Sequence, residues 1–470
     1  MTRDNALPVP AALPTSAHGA PSPALAELPR HAAREIPFDA AAALTTAVAL
    51  SAASKEPYLL YENNGDVIWA EGEAAVAEIG ADGPSVTVGG VPVEVPHGPS
   101  PLAALGRVLD ATAQPAYGWA TYELSRLLHG DRPVTEPVLR LVLPRREVRF
   151  PPDGTARLRA GSARDLDALE ARLAAASALV PGAVEERVPT ELEGHGADDY
   201  RKRVATAVED IHAGLMEKVI VSRRVPVTEP VDLPASYLVG RRANAPARSF
   251  LLRSGGWESA GFSPEIVTRV TADGTVHAQP LAGTRALRGD PSDEDRRAEL
   301  YRDAKEVYEH AVSVRLAAEE LRGACAPGSV RVDDFMSVSE RGSVQHLASH
   351  LTGRLAEGKT RWDALAALFP AVTASGIPKA RACTWIDDAE PAERGLYSGA
   401  VIVADGDGTL DAALVLRSVY RRDGRTWLRA GAGVVGQSDP ERELEETREK
   451  LRSVGLFLVP ESAGAAFGRP

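Results

Sequence analysis

Apolar residues recur at helical spacing in some stretches of the chain and at alternate positions in others, and these two periods sort it into elements. Residues 58–61 and 67–70 are β-rich runs on either side of Asn63-Asn64-Gly65-Asp66, which tolerates the positive φ of a tight turn, so this segment reads as a hairpin. Leu166, Leu169 and Leu173 predict a helix over 163–180. Tyr200, Val204, Val208 and Ile211 mark an amphipathic helix from Asp198, with Gly214 at its end. The next segment, 218–225, reads as a strand with Val219 and Val221 on one face and Lys218, Ile220 and Ser222 on the other. Further hairpins are marked by Asp273-Gly274, by Asp423-Gly424 and by the segment 405–408. Helices are predicted over 293–322 and 440–453. Strands and helices mix without regular β-α alternation, which predicts a large α+β domain.

Composition and charge narrow the class. Of 470 residues, 44% are hydrophobic and 25% charged, ample for a large buried core. The formal balance of −12 argues against nucleic-acid binding, which needs a basic footprint. A small anionic substrate stays possible, because a basic pocket can sit inside an acidic protein. Cys325 and Cys383 are far apart and in no metal-like or redox spacing, so a reducing compartment is expected. No apolar run reaches the ~18 residues of a membrane span, and residues 1–35, rich in Ala and Pro, lack the order of a signal peptide. The expectation is a cytoplasmic protein with a disordered tail over 1–35, an N-terminal half over 36–190 and a C-terminal catalytic region over 191–465. Residues 181–197 read as a linker between the halves.

Two carboxylate pairs carry the first chemical signal. Glu306 and Glu309 lie three apart, and so do Glu443 and Glu446. On a helix each pair shares a face, and two such helices brought together offer several hard oxygen ligands, which suits Mg²⁺ beside an anionic substrate. Spacing alone equally describes a solvated helix face, with Glu446 paired to Lys450 four residues on.

From about 198 to 457 the chain resembles the chorismate-utilising enzymes, most closely their salicylate-forming branch in siderophore pathways. The resemblance runs through ordered blocks: Lys218-Val-Ile-Val-Ser-Arg223, Ser263-Pro-Glu-Ile266, Pro280-Leu-Ala-Gly-Thr-Arg285, the run 305–310, Gly342-Ser-Val-Gln-His-Leu347, Pro370-Ala-Val-Thr-Ala-Ser-Gly-Ile-Pro-Lys379, Gly395-Leu-Tyr-Ser-Gly399, Leu428-Arg-Ala-Gly-Ala-Gly433 and the run 441–450. The N-terminal half matches loosely, chiefly around 118–130. The resemblance implies one large fold of mixed or antiparallel sheets flanked by helices, acting as a monomer on chorismate with no glutaminase subunit.

What it implies for single residues can be set against chemistry. Replacing the C4 hydroxyl of chorismate by water at C2 needs a base for the water and an acid for the departing hydroxide. The resemblance makes Lys218 the base and Glu265 the acid; a lysine base needs its pKa lowered and a glutamic acid needs it raised. From residue type alone, Lys218 could be a strand lysine reaching solvent, and Glu265 a surface residue after the Pro264 turn. Glu309 and Glu446 would hold Mg²⁺, with Glu306 and Glu443 close by. Tyr397 and Arg417 correspond to residues that grip the enolpyruvyl carboxylate, Arg417 with a bidentate fork. Gly431 and Gly433 are expected to let backbone N–H groups approach a carboxylate. Gly283, Thr284, His346 and Lys450 match positions around the ring.

The same blocks separate the relatives. Anthranilate synthases typically carry glutamine where this chain has Lys218, which fits water as the nucleophile. Aminodeoxychorismate synthases place a nucleophilic lysine where this chain has Ala282. Thr373-Ala-Ser-Gly-Ile-Pro-Lys379 and Arg285-Ala-Leu favour the salicylate branch, a bifunctional isomerase and lyase, over a plain isochorismate synthase or a non-catalytic chorismate-binding protein. The run Tyr301-Arg-Asp-Ala304 and the pair Gly436-Gln437 depart from the family pattern without touching a proposed catalytic position.

Overall fold

The structure, a computed structural model, describes residues 31–463 apart from 131, 183, 342 and 343, and leaves the side chains of Thr284, Ala286 and Arg341 undescribed. Residues 1–30 of the expected tail lie outside that range. Ala32–Pro37, whose first four residues were also expected in the tail, form a strand paired with Thr155–Ala160.

The turn residues act as their chemistry predicts. Asn64 and Gly65 have φ of 49° and 85° and join Tyr58–Asn63 to Asp66–Glu71. Asp273-Gly274 and Asp423-Gly424 each join antiparallel neighbours, and so does the segment 405–408. The predicted helix over 293–322 is two helices, Asp293–Arg302 and Ala304–Ala324. It breaks because the Asp303 carboxylate accepts the N–H groups of Lys305 and Glu306, which caps a new helix rather than continuing the old one. Asp439 caps Pro440–Gly455 in the same way. The two caps put both glutamate pairs in the opening turns of their helices.

Among the described residues the strands form two large antiparallel sheets, of eleven and twelve strands, and a two-stranded one. In the first, Tyr58–Asn63 from the N-terminal half pairs with Arg248–Ser254, and the order runs on to Arg425–Val434, Lys218–Val227 and Gly376–Ile377. In the second, Ala116–Ala120 pairs with Ala400–Ala404, so both halves of the chain contribute to both sheets. The segment read as a linker is docked against the C-terminal half: Val188 donates to the Leu458 carbonyl, and the Arg223 guanidinium donates to the carbonyls of Leu192 and His195. The sheets pack face to face through Tyr61, Trp119, Phe250, Val401 and Tyr420, with helices covering both outer faces. The fold is therefore α+β, with antiparallel sheets inside helical layers. Both cysteines are free and buried, and no helix among the described residues is long and apolar enough to cross a membrane.

A buried ion cluster centred on Glu390 sits beside a charged cavity whose lining includes Arg429. Glu390 accepts from both Arg394 and Arg429 and from the hydroxyl of Ser222. Burial pushes the Glu390 carboxyl up, but the two guanidinium groups outweigh it and hold it at about 2, against an ordinary 4.5. Because the folded carboxyl binds its proton less tightly than the unfolded one, its stabilisation is in place above pH 4.5 and is lost as pH falls toward about 2. Glu390→Gln is expected to cost about 3–5 kcal/mol at neutral pH, since two guanidinium groups stay buried without a counter-charge. The gap from the unaltered protein is expected to narrow below pH 4.5. Urea unfolding at neutral and acidic pH measures both effects, and equal midpoints at neutral pH would refute the role given to the cluster.

Candidate active site

The cavity has a volume of about 650 Å³, its open mouth included, and draws its walls from both sheets and both glutamate helices. Glu265, Gly283, Glu309, His346, Tyr397, Arg417, Gly431, Gly433, Glu446 and Lys450 all line it. Lys218, Glu306 and Glu443 stand behind this wall, each in the charge cluster around Glu309. Thr284 lies on Leu281–Ala286, where its backbone pairs with His346.

Lys218 opens the strand Lys218–Val227, whose Val219 and Val221 pack on the opposite face against Tyr200, Val204 and Ala207. That leaves Lys218 pointing toward the glutamates, fully buried and not reaching solvent. Its ammonium donates to Ser313 Oγ at 2.9 Å and lies 3.0 Å from Glu309 Oε1. Glu265 is likewise buried, not on the surface. The Ser263 hydroxyl donates to the backbone carbonyls of Glu265 and Leu414, which pins the turn at Pro264 and turns Glu265 inward. Its carboxyl accepts from Thr373 Oγ1 at 2.6 Å and from the Leu281 N–H at 3.0 Å. Burial dominates these contacts and pushes it up to about 7.

The structure brings the two glutamate helices together. Lys305 Nζ lies 3.1 Å from Glu309 Oε2, 3.7 Å from Glu306 Oε1 and, across to the other helix, 3.3 Å from Glu443 Oε1. Burial would raise the Glu309 carboxyl, but Lys218 and Lys305 hold it well below its usual range. Burial pushes Glu443 up to about 7 against the pull of Lys305. Among the described residues, no three metal-ligating side chains converge closely enough as placed to hold one ion. The donors nevertheless fit a hard cation: Glu306 Oε2 and both oxygens of Glu443 are buried with no hydrogen-bond partner.

On the far wall, Arg417 lines the cavity at a φ of 51°, a strained value for an arginine. Burial lowers its pKa, and no carboxylate among the described residues lies within ion-pair distance of it. Such a guanidinium is a ready partner for an anion. The guanidinium groups of Arg394 and Arg429 each lie 5.5 Å from the centre of the Tyr397 ring. Lys450 donates to Glu446 Oε1 at 2.6 Å and to the Gly431 carbonyl at 2.8 Å. Burial, with Arg417 and Lys450 nearby, holds His346 at about 3, so its ring is neutral. Its Nδ1 lies 3.3 Å from the Gly283 carbonyl.

The glycines have a reason beyond an expected approach of N–H groups. A Cβ on Gly433 would sit 2.0 Å from Glu309 Oε1, and one on Gly431 would sit 2.8 Å from the Tyr397 hydroxyl. Bare backbone is what lets those two side chains reach the cavity.

Three residues with clear contacts were not singled out from the sequence. Ser313 follows Glu309 by four positions, so it shares that helical face and touches Lys218. Lys305 precedes Glu309 by four and could have been found on the same ground. Thr373 was read only as a branch marker; its bond to Glu265 joins segments 108 residues apart, which no local pattern reports.

Residues 56–455 match the chorismate binding enzyme family. A salicylate synthase of Mycolicibacterium paratuberculosis is 41% identical over 458 residues, covering 95% of this chain and 98% of that protein. Anthranilate synthase component 1 of Streptomyces coelicolor is 42% identical over 273 residues, covering 57% of this chain and 52% of that protein. Anthranilate synthase component I from Streptococcus pneumoniae superposes with a TM-score of 0.71 at 23% identity, over 83% of this chain and 92% of that one. MenF, the menaquinone-specific isochorismate synthase from Escherichia coli, superposes with a TM-score of 0.68 at 22% identity, over 93% and 96%. The two structures share the fold, and the sequence matches carry the assignment further: this chain belongs to the family of chorismate-binding enzymes.

Proposed function

We propose that this enzyme converts chorismate to salicylate and pyruvate by way of isochorismate, with Mg²⁺ as its metal, in the cytoplasm and for siderophore or related secondary metabolism. The observation that carries the reading is Glu265, a buried carboxyl held at about 7 on the wall of a cavity whose charge cluster contains the Lys218 amine. A binding protein needs no carboxylic acid kept protonated near neutral pH, whereas loss of a hydroxyl does. Identity of 41% to a salicylate synthase, along nearly the whole chain, supports the choice of product.

In the first step Lys218 takes a proton from the water that bonds to C2. The ring double bonds shift, the C4–O bond breaks, and Glu265 gives its proton to the departing hydroxide. Thr373 and the Leu281 N–H hold the Glu265 carboxyl in place for that transfer. Arg417 and Tyr397 bind the enolpyruvyl carboxylate. Glu309 and Glu446, with Glu306 and Glu443 beside them, hold Mg²⁺, which supplies positive charge for the ring carboxylate.

In the second step the C2 hydrogen passes to the enolpyruvyl methylene as the C3–O bond breaks, leaving an aromatic ring and pyruvate. No further acid or base is needed, only a pocket that folds the side chain over the ring. A neutral His346 suits that step, and Ala282 offers no amine to capture the ring.

Chorismate and Mg²⁺ added to the pure protein are expected to give salicylate, read by its fluorescence, and pyruvate in equal amounts. EDTA is expected to abolish both; full activity in its presence would remove the metal from the scheme. Isochorismate accumulating without pyruvate would restrict the enzyme to water addition.

Lys218→Ala and Glu265→Gln are each expected to slow chorismate consumption by about 10²–10⁴-fold, the usual loss for a general acid or base. Both variants should still release salicylate from supplied isochorismate. A folded Lys218→Ala protein inactive on both substrates would assign Lys218 a different job.

A further inference from the structure

Glu306, Glu309 and Glu446 each have a cationic partner besides Lys305: Arg442 for Glu306, Lys218 for Glu309 and Lys450 for Glu446. Glu443 is different. It is fully buried, and the one cation within ion-pair distance of it among the described residues is Lys305. Lys305 is itself only 7% exposed and reaches Glu443 from the opposite helix while holding Glu309 on its own. Its single ammonium is spread over three carboxylates, at 3.1, 3.3 and 3.7 Å, and still leaves Glu443 without an aligned hydrogen bond.

An ammonium and a divalent ion want the same oxygens, and their like charges repel. We propose that Lys305 is the resident counter-ion of the carboxylate cluster, holding the two glutamate helices together without metal and weakening divalent-cation binding by competing for Glu309 and Glu443. This rests on reading the glutamates as a divalent-cation site. Lys305 is then a positioning residue, acting through the carboxylates and touching no substrate. It explains how four carboxylates can be brought together in a folded chain before any metal arrives. It also predicts an exchangeable, modest-affinity site rather than a permanently loaded one, because each ion that enters must displace an internal cation.

The test is Mn²⁺ binding to metal-free, substrate-free protein, followed by the EPR signal of free Mn²⁺, together with melting temperature. Lys305→Met is expected to bind Mn²⁺ at least tenfold more tightly than the unaltered protein. It should melt lower without metal and gain more in melting temperature on adding Mn²⁺. Lys305→Gln, which keeps a polar tip, should behave alike and covers the case in which Lys305→Met does not fold. Lys305→Arg keeps the charge and should bind close to the unaltered protein. Neutral variants that bind Mn²⁺ equally or more weakly, beside an unaltered protein that does bind it, would overturn the role of Lys305 and leave the metal reading standing. Absence of binding in every form would overturn both.

Discussion

Pairing Lys218, Lys305 and Lys450 with the glutamates of two helices keeps one water-poor corner of the fold from flying apart. Four carboxylates at such short range repel strongly where solvent cannot screen them. The helix Ala304–Ala324 brings one pair, Pro440–Gly455 brings the other, and the strand Lys218–Val227 brings a lysine to meet them. Each of these elements has its own packed apolar face elsewhere, Val314 and Leu321 in one cluster and Leu451 and Val454 in another. Apolar burial thus carries the cost of convergence, and the ion pairs decide its geometry.

The same balance gives one residue type two chemistries. Glu265 and Glu309 are both buried on one cavity. Neutral donors, Thr373 and a backbone N–H, are the hydrogen-bond partners of Glu265, so desolvation wins and its proton is retained to about 7. Glu309 is flanked by two ammonium groups, so attraction wins and it stays ionised. A carboxyl that keeps its proton and one that stays ionised are thereby set by neighbours alone, with no difference in side chain. Neither outcome needs the substrate, so the cavity is organised before anything enters it.

Local chemistry was legible in the sequence, and distant pairing was not. Hairpins at Asn64-Gly65, Asp273-Gly274 and Asp423-Gly424 are set by backbone preferences of the residues in the turn, so they could be read directly. The helix faces carrying the glutamates follow from a three-residue spacing. The break at Asp303 was missed because the helical period runs on through it, and only the cap geometry reveals the stop. The interleaving of the two halves depends on strand pairs such as Ser249 with Glu62 and Val401 with Trp119. Those partners are far apart in the chain and leave no periodic trace. For the same reason Lys218 could be placed on a face of its strand but not in or out of solvent until the opposing helix was known.

Specificity for one reaction among several in this fold then has to come from shape. Under the proposed scheme the ionisable groups around the cavity are committed: Lys218 and Glu265 to water addition, the glutamates to a cation, Arg417 to a carboxylate. A step that needs neither acid nor base can be favoured only by the surfaces that press the enolpyruvyl arm over the ring. Those surfaces are neutral: Leu416, Ala282, a histidine held uncharged, and the glycines whose missing Cβ atoms make room for Glu309 and Tyr397. A side chain at Gly431 or Gly433 would run into Tyr397 or Glu309. A substitution at Gly433 would push directly on Glu309 and through it on Lys218, so shape and charge in this cavity cannot be varied independently.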